Sequence, residues 1–129
     1  MATLMACSAS REAQPTGNIG GEWTVEEVEG SAIGAADVEE TPFLGFSETD
    51  GNVYGNLSCN TLTGTYKADA NTGRLKFGTL GSTMMLCANM DVEQRLLKAL
   101  GQAARYEAKD GMLTLQSASG KTLLKLQKK

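Results

Sequence analysis

The segment DVEQRLLKALGQAARYEAKDGMLTLQSASGKTLLKLQ, residues 91–127, contains both kinds of secondary structure that decide the fold. Its first part has apolar residues at helical spacing: Val92, Leu96, Leu97, Leu100, Ala103 and Ala104. This spacing predicts one amphipathic helix over about residues 91–104, with Asp91 as its N-cap and Gln94 completing a capping box. The second part alternates apolar and polar residues in three short runs, separated by Asp110-Gly111 and Ser119-Gly120. Such runs are typical of strands joined by tight turns.

Further strands are predicted upstream of this segment. The predicted strands lie near residues 22–28, 43–46, 53–58, 64–68 and 74–77. Residues 80–87 alternate in the same way, which places Thr83, Met85 and Cys87 on one face. About seven or eight short strands with one late helix predict an α+β fold. We expect a curled antiparallel sheet or partly open barrel with the helix packed on it, because curling limits exposed strand edges.

Composition excludes several classes of function. The chain has 129 residues, enough for one ordinary domain, and a net charge of -3 with scattered Lys and Arg, which disfavours nucleic-acid binding. It contains no histidine, the usual general base and the commonest metal ligand. There is also no P-loop and no GxGxxG motif. We therefore expect a protein that is not an enzyme and that holds no cofactor or metal.

The N-terminus carries a possible lipidation motif. Leu4-Met5-Ala6-Cys7 matches a bacterial lipobox, and residues 8–20 are small and polar. In one interpretation Cys7 is acylated and residues 1–20 form a flexible tether to an ordered domain at 21–129. In the other, Cys7 is incidental, since only six residues precede it and a complete signal peptide is longer.

The remaining cysteines form one candidate pair. If Cys7 carries lipid, Cys59 and Cys87 are left, and envelope compartments favour disulfides. We predict a Cys59–Cys87 bond worth roughly 3–4 kcal/mol in the chain-entropy description. The alternative is that the two residues are buried thiols that merely pack near each other.

A few other side chains are candidates for binding. Asn60 and Thr83 are expected to hydrogen-bond nearby backbone rather than a ligand, and Glu93 to interact with the helix dipole. The apolar run at residues 84–86 is expected to pack in the core, or else to line an adaptable pocket. Residues 58–63 are the candidate for an exposed rigid loop.

The order of these motifs resembles the META domain family of HslJ-like envelope proteins. The family's hallmark is a GCN segment, a T-x-M-x-C segment and a Glu on the following helix. The corresponding stretches here are Ser58-Cys59-Asn60, Thr83-Met84-Met85-Leu86-Cys87 and Glu93, with Gly64 between the first two. Ser58 stands where the family usually has Gly. The resemblance implies that Cys59 and Cys87 pair, that Asn60 fixes a turn, and that Glu93 lies near the helix start.

The resemblance also implies a compartment and a class of function. Family members look like small periplasmic or lipid-anchored bacterial proteins; some are heat-inducible, and one is linked to novobiocin resistance. Their fold is similar to that of a secretin pilot lipoprotein, which implies a chaperone-like or scaffolding role. We expect localisation to the periplasm or outer membrane, with membrane association only through an N-terminal lipid.

Three functional hypotheses follow for a protein that we expect to be a monomer. The first is a non-catalytic binding or scaffold module for an envelope protein, with a chaperone-like or stress-related role. The second is a carrier or sensor of a small apolar ligand such as a lipid, which requires a cavity. The third is an inhibitor of a hydrolase, which requires an exposed rigid loop.

Overall fold

A computed structural model describes residues 16–129. It contains nine strands, one helix and a short 3-10 turn at Ala35–Asp37. The helix is α1, Asp91–Gln102. The strands are β1 Gly21–Val28, β2 Ser31–Ala32, β3 Phe43–Ser47, β4 Asn52–Asn56, β5 Thr61–Asp69, β6 Arg74–Ser82, β7 Ala103–Lys109, β8 Met112–Ser117 and β9 Thr122–Lys128.

Eight of the strands close into an antiparallel barrel, which confirms the predicted fold class. The order is β1-β3-β4-β5-β6-β7-β8-β9, and β9 pairs back onto β1 from Trp23–Lys128 to Val28–Leu124. The short β2 pairs with the end of β1, where β3 no longer accompanies it. Tight turns join β3 to β4, β5 to β6, β7 to β8 and β8 to β9. At the β7–β8 turn both Asp110 and Gly111 have positive φ, as the Asp-Gly signal predicts.

One junction of the barrel is much thinner than the others. The strands β6 and β7 pair only at Arg74–Arg105, whereas every other junction of the barrel has at least four residue pairs. The reason lies in the chain path, because β7 begins two residues before Arg105, directly after α1. In the described part of the chain, β6 therefore has no paired strand after Arg74 on the side that faces β7.

Apolar side chains fill the barrel, and α1 lies across one end of it. The fully buried side chains include Leu44, Phe46, Leu62 and Leu113 from the strands and Leu96 from the helix. An eight-stranded barrel is just wide enough for side chains of this size. The helix contacts β1 and β9, and it also reaches the β4–β5 connection. These elements all meet at one end of the barrel, which we call the helix end.

Residues 16–20 pack on the opposite end. The N–H groups of Thr16 and Gly17 donate to the carbonyls of Ala70 and Ala108, and Ile19 is buried. The described structure thus begins five residues before the predicted domain start at Gly21. The lipobox with Cys7 and most of the proposed tether lie outside the described residues. Between residues 16 and 129, no helix combines the length and hydropathy needed to cross a membrane.

Some predicted boundaries were wrong. The helix ends at Gln102 and not at 104, because Ala103 adopts extended angles and pairs with Ser117. Asp91 is not the N-cap: that position is Met90, which makes no side-chain cap, and the Asn89 side chain accepts from the Asp91 N–H. Leu97, counted in the apolar stripe, is partly exposed.

The strand assignments needed two changes as well. The strand β5 already begins at Thr61, three residues before the predicted strand near residues 64–68. The alternation over 80–87 does not form one strand, since β6 ends at Ser82 and residues 83–90 have no regular structure.

Candidate binding loop and its buried support

A buried carboxylate joins the helix to the β4–β5 connection. Glu93 lies in the first turn of α1 and is almost fully buried. Its Oε1 accepts hydrogen bonds from the Asn60 N–H at 2.7 Å and the Cys59 N–H at 3.3 Å. Its Oε2 accepts from the Asn60 Nδ2 at 2.5 Å. A buried carboxylate is costly unless it is bonded, and these three donors provide that stabilisation.

Asn60 connects this carboxylate to the loop that precedes the helix. Its Nδ2 also donates to the Met85 carbonyl at 3.1 Å, and its Oδ1 accepts from the Met85 N–H at 2.7 Å and the Thr83 hydroxyl at 2.8 Å. Both donors and both lone pairs of the amide are therefore used. The side chain of Asn60 thus takes the place of a neighbouring strand and holds the backbone at Met85.

Two further links fix the ends of the loop. The Thr83 Oγ1 accepts from the Thr61 N–H at 3.0 Å, which attaches the loop to the start of β5. A disulfide joins Cys59 to Cys87, with Cα atoms 6.1 Å apart, which confirms the predicted bond. Residues 83–87, which we call the apolar loop, are thus held by the buried pair Asn60–Glu93 and by a covalent bond.

The apolar loop presents its side chains to solvent. Met84 is 93% exposed, Leu86 is 91% exposed and Met85 is more than half exposed. The expectation that residues 84–86 pack in the core was wrong. Strand alternation does not apply here, because β5 binds the backbone only as far as the Thr83 N–H, and at Met85 the Asn60 side chain takes over from the strand. Contiguous exposed apolar side chains on a fixed loop are typical of a protein-binding site.

The other predicted site residues lie apart from this cluster. Gly64 is on β5, where an added Cβ would lie 2.6 Å from the Leu80 side chain and 2.8 Å from the Thr79 carbonyl oxygen. Asp91 is exposed and pairs with Arg95 at 3.3 Å. Residues 58–60 were predicted to be part of an exposed loop, but they are buried. They lie against the helix, where the N–H groups of Cys59 and Asn60 bind the Glu93 carboxylate. Ser58 has φ of 95°, a conformation that favours glycine, which accounts for the glycine usual at this position.

Sequence reasoning missed a cleft at the thin junction of the barrel. It has a volume of about 860 Å³ and lies between β6 and the residues where α1 passes into β7. Its apolar lining includes Phe77, Leu80 and Leu100. The sequence feature that could have indicated the cleft is the group of small residues Gly101, Ala103 and Ala104, which leave this space unfilled. No group of three or more His, Cys, Asp or Glu residues suited to a metal ion occurs within residues 16–129.

Comparison with family models matches the META domain to residues 17–129, which is nearly all of the described chain. The chain belongs to the META domain family. Comparison with curated proteins gave no significant match. The residues on which the sequence resemblance rests build the support of the apolar loop: Cys59, Asn60, Thr83, Met85, Cys87 and Glu93.

Solved structures share this META fold. A protein from Burkholderia xenovorans, determined by NMR, is 25% identical with a TM-score of 0.65, over 95% of this chain and 87% of that one. A second NMR structure is 22% identical with a TM-score of 0.62, over 92% of each chain. A DUF4847 family protein from Bacteroides vulgatus is 16% identical with a TM-score of 0.63, over 94% of this chain and 97% of that one. At 16% and 22% identity, the last two likenesses concern the fold alone.

Proposed function

We propose that this META domain is a non-catalytic binding module of the bacterial cell envelope, and that it docks onto a partner protein through the apolar loop. The observation that carries the proposal is the combination of exposed Met84 and Leu86 side chains with a backbone fixed by Asn60. A fixed loop loses little conformational entropy on binding, so more of the contact energy contributes to affinity.

The chemistry of the loop indicates the kind of surface that would receive it. Burying one large apolar side chain contributes roughly 1.5–3 kcal/mol. Methionine adapts to irregular apolar pockets, and the loop carries no charge between Thr83 and Cys87. The matching surface is an apolar groove on another protein. The disulfide supports an oxidising compartment, and lipidation at Cys7 would place the module at a membrane surface.

The two other hypotheses have less support. A lipid inside the curled sheet requires internal space, whereas buried side chains such as Leu44, Phe46 and Leu62 occupy the barrel. A hydrolase inhibitor requires an exposed rigid loop, and the first three residues of the candidate loop at 58–63 are buried. Docking through the apolar loop therefore remains the function that the geometry supports best.

A photo-crosslinking amino acid at position 84 or 86 tests the proposal in the native host. The matched control is position 112, an exposed methionine on β8. We expect one discrete protein adduct from the loop positions and none from position 112. Replacing Met84 and Leu86 together by Ser should abolish binding of the partner so identified while leaving the unfolding midpoint unchanged. Equal adducts from the loop and from position 112 would exclude the loop as the docking site.

A further inference from the structure

The cleft beside β6 exposes a strand edge. On one side β6 pairs with β5 over most of its length, from Arg74 to Ser82. On the other side, within residues 16–129, its only strand pairing is Arg74 with Arg105. A strand edge of this kind presents backbone N–H and C=O groups that an extended peptide can bond as an added strand.

The floor of the cleft is apolar and has room for side chains. Phe77 and Leu80 on β6 are half-buried against the core, and Leu100 of α1 lines the cleft with them. At Gly101 an added Cβ would meet no atom within 4 Å. The volume of about 860 Å³ lies within the range of established ligand sites.

The outer rim of the cleft carries one acidic side chain, Asp69, and four basic ones, although the protein as a whole is acidic. Among the basic residues, Arg74 lies opposite Arg105 on one side and Asp69 on the other, and Lys67 lies opposite Lys76. All four are exposed, and none takes part in the three ion pairs found in the described part of the chain. Like charges directly opposite each other destabilise a sheet, so an anionic ligand that neutralises them is favoured.

We infer that this cleft binds an acidic, extended peptide segment of a partner protein as an added strand on β6. In a strand, successive side chains point to opposite faces. Apolar side chains of the peptide would therefore enter the cleft beside Phe77 and Leu80, while the alternate carboxylates would face Arg74, Lys76 and Arg105. About six residues, at roughly 3.3 Å each, span the edge from Leu75 to Leu80. The ligand class is a peptide of alternating Asp or Glu and apolar residues.

Titration of the ¹⁵N-labelled full chain with a blocked hexapeptide of alternating Glu and Val tests this inference. We expect shifts in the amide resonances of β6, and at least about tenfold slower hydrogen exchange for those of its N–H groups that face the cleft. The same peptide with Lys in place of Glu should not bind. A Glu-Val peptide N-methylated at alternate residues keeps its charge and loses backbone donors, so it too should fail. Equal binding by either control overturns the inference.

Two variants locate the binding. Gly101→Trp fills the cleft, whereas Gln102→Trp places the same side chain on an adjacent exposed residue outside the lining. We expect Gly101→Trp to abolish peptide binding and Gln102→Trp to leave it unchanged. Arg105→Glu should weaken binding at least about tenfold and reduce its salt dependence. Equal affinities for the wild type and Gly101→Trp would place the peptide elsewhere and overturn the inference.

A lipid control and a loop control complete the test. If lysophosphatidylglycerol shifts the β6 amides and the Glu-Val peptide does not, the occupant is a lipid and the inference fails. Replacing Met84 and Leu86 by Ser should leave the peptide titration unchanged, since neither lines the cleft. Failure of strand addition and failure of the loop proposal are therefore separable.

Discussion

At the scale of single residues, Glu93 holds the helix, the β4–β5 connection and the apolar loop together. Every hydrogen bond described for the Glu93 carboxylate comes from Cys59 or Asn60. The Asn60 side-chain amide in turn binds the Met85 backbone. Because the carboxylate only accepts and the donors facing it only donate, the network has one consistent arrangement of hydrogens. This complementarity makes the site sensitive to a change of a single atom.

Replacing Glu93 by Gln tests that complementarity. The amide must point its NH₂ either at the Asn60 Nδ2 or at the backbone N–H groups of Cys59 and Asn60, so that a donor faces a donor. We expect Glu93→Gln to lower the free energy of unfolding by roughly 1–3 kcal/mol in urea titrations. The control Glu107→Gln, at an exposed position on β7, should change it by less than about 0.5 kcal/mol. A similarly small change for Glu93→Gln would contradict the role assigned to the network.

The sequence predicts some of these residues and not others. Cys59 and Cys87 could be paired from the cysteine count and the compartment, and the role of Asn60 was implied by the resemblance of the motif order to the META domain family. The burial of Glu93 could not be predicted from its position alone, since a Glu in the first turn of an exposed helix serves the helix dipole equally well. The exposure of Met84 and Leu86 was missed because alternation assumes a strand partner, which Asn60 replaces here.

At the scale of elements, the connection from β6 to α1 depends on two independent constraints. The disulfide closes a segment with a sequence separation of 28 residues, and the Asn60 side chain binds the Met85 backbone. The first acts chiefly on the unfolded chain, since it reduces the number of conformations open to it. The second acts on the folded loop. The two contributions can therefore be measured separately.

Reduction of the disulfide should destabilise the domain without releasing the loop. We expect the Cys59→Ser/Cys87→Ser variant to lose roughly 3–4 kcal/mol of unfolding free energy. The Met85 amide should still exchange more slowly than that of Leu86, because Asn60 Oδ1 still accepts its hydrogen. Cys7→Ser is the matched control and should leave the free energy unchanged. Loss of Met85 protection in the double variant would show that the disulfide, and not Asn60, holds the loop.

The helix boundaries show why elements are easier to predict than their ends. The apolar spacing identifies the buried face with Val92, Leu96 and Leu100. Ala103 and Ala104 satisfy the same spacing, yet tertiary pairing with β8 places them in β7. Alanine fits a helix or a strand edge, so the local pattern could not locate the end. The end of the helix also explains the cleft, because only Ala103 and Ala104 precede Arg105 in β7 and the chain before them is helical.

At the scale of the whole molecule, closure of the sheet was predictable and its thin junction was not. Many short strands joined by Gly-containing turns favour a barrel, since closure removes edges. The missing β6–β7 pairing after Arg74 depends on the length of the β6–α1 connection and on the register of the two strands. The alternation of apolar and polar residues encodes neither. The packing of residues 16–20 on the opposite end was also missed, because Ile19 lies among polar residues.

The opposite end of the barrel gives a prediction for alkaline pH. Burial, followed by the charge of Glu48, raises the pKa of Tyr66, and burial, followed by the charge of Asp69, raises the pKa of Tyr106. The folded protein therefore holds these phenol protons more tightly than the unfolded chain. Their contribution is fully present below about pH 10 and is lost as the pH rises through the folded pKa values.

Urea titrations at pH 7, 9 and 11 would measure this loss. We expect the wild type to lose unfolding free energy between pH 9 and 11, and the Tyr66→Phe/Tyr106→Phe variant to lose less over the same interval. Any packing effect of the two substitutions appears at pH 7, where the hydroxyls are protonated, and can be subtracted. Parallel curves for the two proteins would contradict the assignment.

The pairing of β1 with β9 has a consequence for biogenesis. The strand β1 acquires one of its two barrel neighbours only when β9 is available, so a nascent chain cannot complete the hydrogen-bonded ring until residues 122–128 have left the ribosome. Contacts between residues that are distant in sequence also slow folding. The domain thus remains an open chain until β9 has been made and released, and an open chain is the form in which a polypeptide can be threaded through a narrow translocation channel.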